Sequence, residues 1–340
     1  MDILVGLLII ALGSLGQSSS YVPINKIKSW SWESFWLVQG IFAWIIFPLL
    51  GTLLALPSGT DILDLFQMEG SMMSVFYGML WGIGGLTFGL SMRYLGVALG
   101  QSIALGTCAG FGTLFPAVMQ GKNLFQGEGL VLLFGVCITL AGIAIIGYAG
   151  SLRSRNMTEE EKKAAVKDFA LSKGLAVALL AGVMSACFNL GLEAGTPVSE
   201  LMREKGANEL FVMNPVIMLV TMGGFVTNAV YCIYQNKINN TGKEYFSVSG
   251  EVIANNVVFC LLAGLLWYSQ FFGLGMGKSF FTDSPVMMVF SWSILMSLNV
   301  IFSNIWGIIL KEWKGADTKT VFVLVLGMCV LIFSLVFPNI

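Results

Sequence analysis

Ten apolar runs, separated by short charged connections, determine what this chain can fold into. Their approximate limits are 3–20, 34–55, 71–92, 97–119, 129–149, 174–194, 210–234, 251–274, 285–310 and 320–338. Each run is long enough to cross a hydrocarbon core about 30 Å thick as an α-helix. Only 11% of the residues are charged, against about 25% in soluble domains. We therefore predict an all-α integral membrane protein with ten transmembrane helices.

The basic residues indicate how these helices are oriented. Of the 18 Lys and Arg residues, 14 lie in the connections after odd-numbered spans and 4 lie in those after even-numbered spans. Connections on the cytoplasmic side carry the excess of positive charge. Because ten spans place both ends of the chain on one side, we predict that both termini lie outside.

A short internal repeat relates the third span to the eighth. Gly78-Met79-Leu80-Trp81 recurs as Gly264-Leu265-Leu266-Trp267, and Gly89 recurs as Gly275, each 186 residues later. An offset of five spans turns the second copy upside down in the bilayer, as in transporters built from inverted repeats. We therefore predict two inverted five-helix repeats, with the substrate bound near the bilayer midplane.

The longest predicted cytoplasmic connection separates the two halves, which are 1–150 and 174–340. This connector, 151–173, contains Thr158 and Glu161 in the spacing of a capping box, which favours a short surface helix. On the outer side, Thr196-Pro197 is expected to start a short helix that ends at Gly206. For both loops the alternative is a solvated connector.

Uncharged polar side chains inside the spans point to a binding site. Facing lipid without a partner is costly for them, so we expect them to face the bundle interior or a wet cavity. The alternative is interhelical hydrogen bonding, which we expect for about half. Amides donate and accept, as sugar hydroxyls do, and a mid-span tryptophan can stack on a pyranose or anchor at the interface. The candidate substrate-binding residues are Gln17, Trp81, Gln101, Asn189, Trp267, Gln270 and Asn299.

Glu193 is the acidic residue that lies deepest in a predicted span. It falls in the outer third of the sixth span, four residues after Asn189. Removal from water favours the neutral form of a carboxyl group, so we predict that Glu193 binds and releases a coupling proton. By contrast, Glu33, Glu251 and Asp283 lie at span ends, where solvated or capping roles are expected.

The composition disfavours several other functions. Histidine is absent and no cysteines form a CxxC pair, so we expect no metal site, no catalytic constellation and no cofactor. A net charge of −1 provides no positive electrostatic field that would attract nucleic acid. No GxxxxGK[ST] pattern occurs, which disfavours ATP-driven transport. A membrane-embedded enzyme and a non-transporting scaffold remain as less favoured classes, and the oligomeric state stays open.

Three strings resemble one known family. Tyr21-Val22-Pro23-Ile24-Asn25-Lys26-Ile27-Lys28-Ser29-Trp30-Ser31-Trp32-Glu33 is similar to the segment after the first span of the L-rhamnose–proton symporter family, part of the drug/metabolite transporter superfamily. Trp81–Gly84 with Gly89–Gly96, and Leu310–Trp313, resemble its third and ninth spans. The resemblance implies ten helices in two inverted halves in the bacterial inner membrane, and uptake of a deoxy-sugar with a proton. It does not extend to Glu193.

The leading hypothesis is therefore a symporter in the lipid bilayer that imports a neutral monosaccharide, L-rhamnose or a relative, with protons by alternating access. The alternative is an exporter of another small metabolite or amino acid from the same superfamily. An amino acid would need paired charges near the midplane, and Glu193 is the one ionisable residue near that depth. This favours an uncharged substrate.

Overall fold

The computed structural model describes residues 2–95, 97–155 and 170–339. Helices make up 82% of the described residues, and these residues form no strand. Ten of the described helical segments are long and apolar enough to cross a membrane, which confirms the predicted fold class and number of spans. The run that begins at the polar residues Glu251, Asn255 and Asn256 is a continuous helix, Gly250–Lys278.

The helices follow one another through short connections, and most spans are single helices. Their bounds are α1 (Asp2–Ser19), α2 (Tyr21–Ile24), α3 (Trp32–Ile41), α4 (Phe47–Leu53), α5 (Ser71–Leu95), α6 (Val97–Met119), α7 (Gly127–Arg155), α8 (Leu171–Ala194), α9 (Thr196–Glu204), α10 (Asn214–Ile238), α11 (Glu244–Ser247), α12 (Gly250–Lys278), α13 (Pro285–Ile309) and α14 (Thr318–Val336). A π-helical turn, Phe42–Ile46, joins α3 to α4. Short 3₁₀ helices cover Ile62–Gln67 and Phe337–Asn339.

The short helix predicted after the sixth span is confirmed as α9. Pro197 lies in its first turn, where a missing N–H costs nothing. Gly206 follows with φ at +87°, a left-handed conformation that glycine adopts without strain. The capping box at Thr158 and Glu161 lies outside the described residues.

The first compact unit contains Met1–Gly82 and Gly191–Phe280. Within it α1 packs along α12, where the Ser269 hydroxyl donates a hydrogen bond to the Gly13 carbonyl at 2.9 Å. α10 packs against α3 and α4. Glycine lets backbones approach closely in a membrane, where no hydrophobic force drives helices together.

The second compact unit contains Ile83–Leu190 and Phe281–Ile340. In this unit α7 packs against α6 and α14, and α13 packs against α6. The Trp292 ring is buried and stacks on Phe188 at a centroid distance of 6.0 Å. Thr113 and Ser293 join α6 to α13 through a hydroxyl–hydroxyl hydrogen bond of 2.8 Å. Polar groups in this unit therefore bond across helices.

Gly78 of α5 provides a test of close helix packing in the first unit. A Cβ atom at this position would collide with the Val220 carbonyl of α10, whereas a Cβ at Gly89, farther along α5, would meet nothing within 4 Å. We expect Gly78→Ala to lower the free energy of unfolding by about 1–3 kcal/mol through overpacking. Gly89→Ala should be neutral or slightly stabilising, because alanine favours helix. Thermal denaturation of the two purified variants checks this, and equal melting temperatures would contradict the packing.

Candidate functional site

The second span is interrupted by a π-helical turn just before Pro48. Proline has no N–H and clashes with the carbonyl four residues earlier, which is that of Trp44. The chain widens there instead, and the Phe47 N–H bonds to the Phe42 carbonyl, five residues back. π-helical turns occur often at functional sites. In this chain the turn carries Trp44.

Trp44 lies at the centre of a group of aromatic rings in the first unit. Its centroid is 5.6 Å from Trp36, 5.8 Å from Trp81 and 5.6 Å from Trp267, with interplanar angles of 72°, 88° and 81°. Phe271 lies 5.3 Å from Trp267 and 6.4 Å from Trp81. These edge-to-face contacts are the geometry that aromatic quadrupoles favour. We call Trp36, Trp44, Trp81, Trp267 and Phe271 the aromatic cluster.

The cluster joins the two tryptophans that the internal repeat singles out. Trp81 of α5 and Trp267 of α12 lie 5.7 Å apart with an interplanar angle of 39°. Both are half-buried, while Trp44 is 3% exposed. Two glycines make room for the rings, because a Cβ at Gly224 would collide with Trp81 and one at Gly40 would collide with Trp44. Two partly accessible indoles thus flank a buried one.

The other candidate substrate-binding residues lie in both units. In the first unit, the buried Gln270 follows Trp267 by one turn and donates to its carbonyl at 3.2 Å. The half-buried Gln17 of α1 accepts a hydrogen bond from Ser18 at 3.3 Å. In the second unit, the buried Asn189 donates to the Gly112 carbonyl at 2.8 Å. That bond joins α8 to α6, so Asn189 makes the interhelical contact expected of about half of these side chains.

Gln101 and Asn299 complete the predicted set. Gln101 is half-buried in α6, and Asn299 is half-buried in α13, both in the second unit. The structure thus brings Trp81, Trp267 and Gln270 together, and it assigns Gln101, Asn189 and Asn299 to the other compact unit.

Glu193 forms an ion pair with Lys278. The Lys278 Nζ lies 3.7 Å from the Glu193 Oε1, and the two side chains are 9% and 29% exposed. Lys278 lies beyond the end predicted for the eighth span, 251–274, and so in a predicted outer connection. This placement is wrong, because α12 continues to Lys278 and the side chain is buried. A charge pair therefore lies at the adjoining ends of α8 and α12.

Glu33 also differs from its expected solvated or capping role. It is 6% exposed, in the first turn of α3. Its Oε1 accepts hydrogen bonds from Asn239 at 2.9 Å and Thr241 at 2.8 Å. Asn256 of α12 also holds the chain before α3, since its side chain bonds both the N–H and the carbonyl of Lys28, at 3.0 and 2.7 Å. These bonds fix the start of α3, and with it the helix that carries the cluster.

Sequence reasoning missed Trp36, Trp44, Phe271 and Lys278. A usable signal existed for Trp44, which lies at mid-span close before Pro48 and so has the same unusual depth as Trp81 and Trp267. No pattern pointed to Lys278, since its burial depends on where α12 ends. Among the described residues, no group of three or more His, Cys, Asp or Glu side chains could hold a metal ion. Chemically, the first unit offers aromatic faces, amides and the Glu193–Lys278 charge pair.

Comparison with known proteins agrees with this picture. The family described as L-rhamnose-proton symport protein (RhaT) matches residues 1–338. Two proteins named L-rhamnose-proton symporter, from Yersinia pestis and Yersinia pseudotuberculosis, are each 34% identical to this chain over 337 residues. The aligned region covers 98% of this chain and 96% of each relative. This chain is therefore a multi-pass membrane protein that belongs to the L-rhamnose-proton symport protein family.

Proposed function

We propose that this chain imports L-rhamnose or a related deoxy-sugar together with protons. The observation that carries the proposal is the aromatic cluster, in which Trp81 and Trp267 present half-buried faces beside the amide of Gln270. Indole faces suit the apolar face of a sugar ring, and amides suit its hydroxyls. The names of the relatives support this substrate class and do not favour the alternative, an exporter of another metabolite or amino acid.

Transport by alternating access follows from the proposed architecture of two inverted five-helix halves, 1–150 and 174–340, within the drug/metabolite transporter superfamily. The packing of the repeat supports it. Gly78 of the third span packs against the seventh span at Val220, and Gly264 of the eighth packs against the second span at Phe42. Each copy thus contacts the second span of the other half. The excess of basic residues in the connections after odd-numbered spans supports an orientation with both termini outside. A bacterial inner-membrane location is proposed because the relatives are bacterial symporters.

Proton coupling is proposed to occur at Glu193. The carboxylate lies 3.7 Å from the Lys278 ammonium, so the pair carries no net charge when Glu193 is ionised. Uptake of a proton by Glu193 removes the attraction and leaves the pair with one positive charge. The two protonation states therefore differ in the force that joins the ends of α8 and α12. A proton can bias a conformational change only through such a difference.

Counterflow in proteoliposomes tests the substrate. Purified protein is reconstituted, loaded with unlabelled L-rhamnose and exposed to a trace of labelled L-rhamnose outside, with L-rhamnose, L-fucose or D-glucose as competitors. We expect transient accumulation of label that L-rhamnose suppresses most strongly. Protein-free liposomes are the control. Equal indifference to all three sugars would overturn the proposed function.

A further inference from the structure

The indole N–H of Trp44 is buried without a protein acceptor. Trp44 is 3% exposed, and its Nε1 makes no hydrogen bond to any described residue. Other tryptophans differ in this respect. Trp36 Nε1 donates to Asn228 Oδ1 at 3.0 Å, and Trp292 Nε1 donates to the Cys108 carbonyl at 3.2 Å. Buried donors are nearly always paired, so the unpaired one at the centre of the aromatic cluster needs an explanation.

A buried acceptor without a partner lies on the same helix. Gln39 is 1% exposed, and its Oε1 has no hydrogen bond to any described residue. The backbone places Gln39 beside the stretch of α12 that carries Trp267, since a Cβ at Gly264 would lie 3.3 Å from the Gln39 carbonyl. Gly264 is one turn before Trp267. One buried donor and one buried acceptor are thus held on the span that runs through the cluster.

A hydroxyl group can satisfy both atoms, because it donates one hydrogen bond and accepts others. Leaving a buried donor or acceptor unpaired costs free energy, which a substrate hydroxyl recovers when it binds. Trp44 contacts Trp81 and Trp267 edge to face, so its ring adjoins both of the half-buried rings on which the sugar is proposed to stack. The π-helical turn thus serves to place Trp44 beside Trp81 and Trp267.

We infer that Trp44 and Gln39 are substrate-recognition residues: the Trp44 N–H donates to, and the Gln39 Oε1 accepts from, hydroxyls of the sugar that stacks on Trp81 and Trp267. The inference rests on the proposed function. In this arrangement the second span adds polar contacts with the sugar to the stacking contacts that α5 and α12 provide. Recognition by this pair selects a ligand with a hydroxyl beside its apolar face and discriminates against one without it.

The test is the variant Trp44→Phe, which keeps an aromatic ring and removes the N–H. We measure L-rhamnose binding by isothermal titration and the melting temperature without sugar. Binding should weaken about tenfold, the usual effect of one lost hydrogen bond to a buried group. The melting temperature without sugar should fall less than in the control variant Trp292→Phe, because both variants replace a buried indole with a smaller ring and only Trp292→Phe also breaks a hydrogen bond. A purely structural role for Trp44 would leave the affinity for L-rhamnose unchanged.

Trp292→Phe is the matched control, since Trp292 is as buried as Trp44, lies outside the aromatic cluster, and has its N–H already paired with the Cys108 carbonyl. It should lose stability and keep its affinity for L-rhamnose. Gln39→Met serves as a second variant of similar size, and it should also weaken binding about tenfold.

Monodeoxy analogues of L-rhamnose identify the contact. One analogue lacks the hydroxyl that Trp44 binds. This analogue should bind the wild type more weakly than L-rhamnose does, and it should bind Trp44→Phe about as well as L-rhamnose does. If wild type binds L-rhamnose and both Trp44→Phe and Gln39→Met bind it equally well, the inference fails and the proposed function stands. If wild type binds none of the three sugars of the counterflow panel, the proposed function fails, and the inference fails with it.

Discussion

Replacing Glu193 with Gln and Lys278 with Met together is expected to abolish the accumulation of sugar driven by a pH gradient. Glutamine cannot release a proton, so the step that couples proton movement to sugar movement is lost. Counterflow should persist, because exchange of labelled for unlabelled sugar requires no net proton transfer. The measurement is uptake of labelled L-rhamnose into proteoliposomes, with and without an imposed pH gradient. Full gradient-driven accumulation by this double variant would remove Glu193 from the mechanism.

The double variant is preferred because each single change removes one partner of the Glu193–Lys278 ion pair. Lys278 is buried, and removing one partner of a buried ion pair is strongly destabilising. We expect Glu193→Gln alone to lower the melting temperature and the added Lys278→Met to restore much of it. Glu200→Gln is the matched control, since Glu200 is exposed in α9. It should leave both accumulation and counterflow unchanged.

Truncation of the half-buried tryptophans is expected to weaken sugar binding more than any other single change in the aromatic cluster. Trp81→Ala and Trp267→Ala each remove a stacking face, and anchors of this size contribute about 1.5–3 kcal/mol to binding, or roughly 10- to 100-fold in affinity. Trp81→Phe and Trp267→Phe keep an aromatic face and should lose less. Titration of the purified variants with L-rhamnose provides the measurement.

The control for these changes is Trp313→Ala. Trp313 lies after α13 and holds the Arg153 guanidinium 5.6 Å from its ring centroid, outside the aromatic cluster. Its loss should leave the affinity for L-rhamnose unchanged. If Trp81→Ala and Trp267→Ala bind the sugar as Trp313→Ala does, the cluster is a packing feature and the substrate binds elsewhere.

The spans were predictable because each charged residue adds its own free-energy cost to a helix in lipid, so an uncharged apolar run identifies a span without knowledge of its neighbours. Twenty apolar residues define a crossing whatever lies beside them. Even the helix that begins at Gly250 was predicted, despite Glu251 and Asn256 in its first turns. Its end was not, because Lys278 is paired with Glu193 of α8, a distant contact that no local pattern reveals.

The candidate site was predictable only in part, for a similar reason. Trp81 and Trp267 were identified because they occupy matching places in a repeat. Trp44 has no counterpart in that repeat, and its position depends on the π-helical turn before Pro48. Whether an amide lines a pathway or bonds to a neighbouring helix depends on which helices adjoin, as the bond from Asn189 to Gly112 illustrates.

The composition of the compact units has a consequence for biosynthesis. The first unit draws on Met1–Gly82 and on Gly191–Phe280, and the second is completed only by Phe281–Ile340. During translation the early spans therefore enter the bilayer before their packing partners exist. For example, more than 200 residues must be synthesised after Lys28 before the Asn256 side chain that bonds to its backbone exists. Insertion of the early spans therefore precedes their tertiary assembly, and a nascent chain halted midway lacks the helices that these spans pack against.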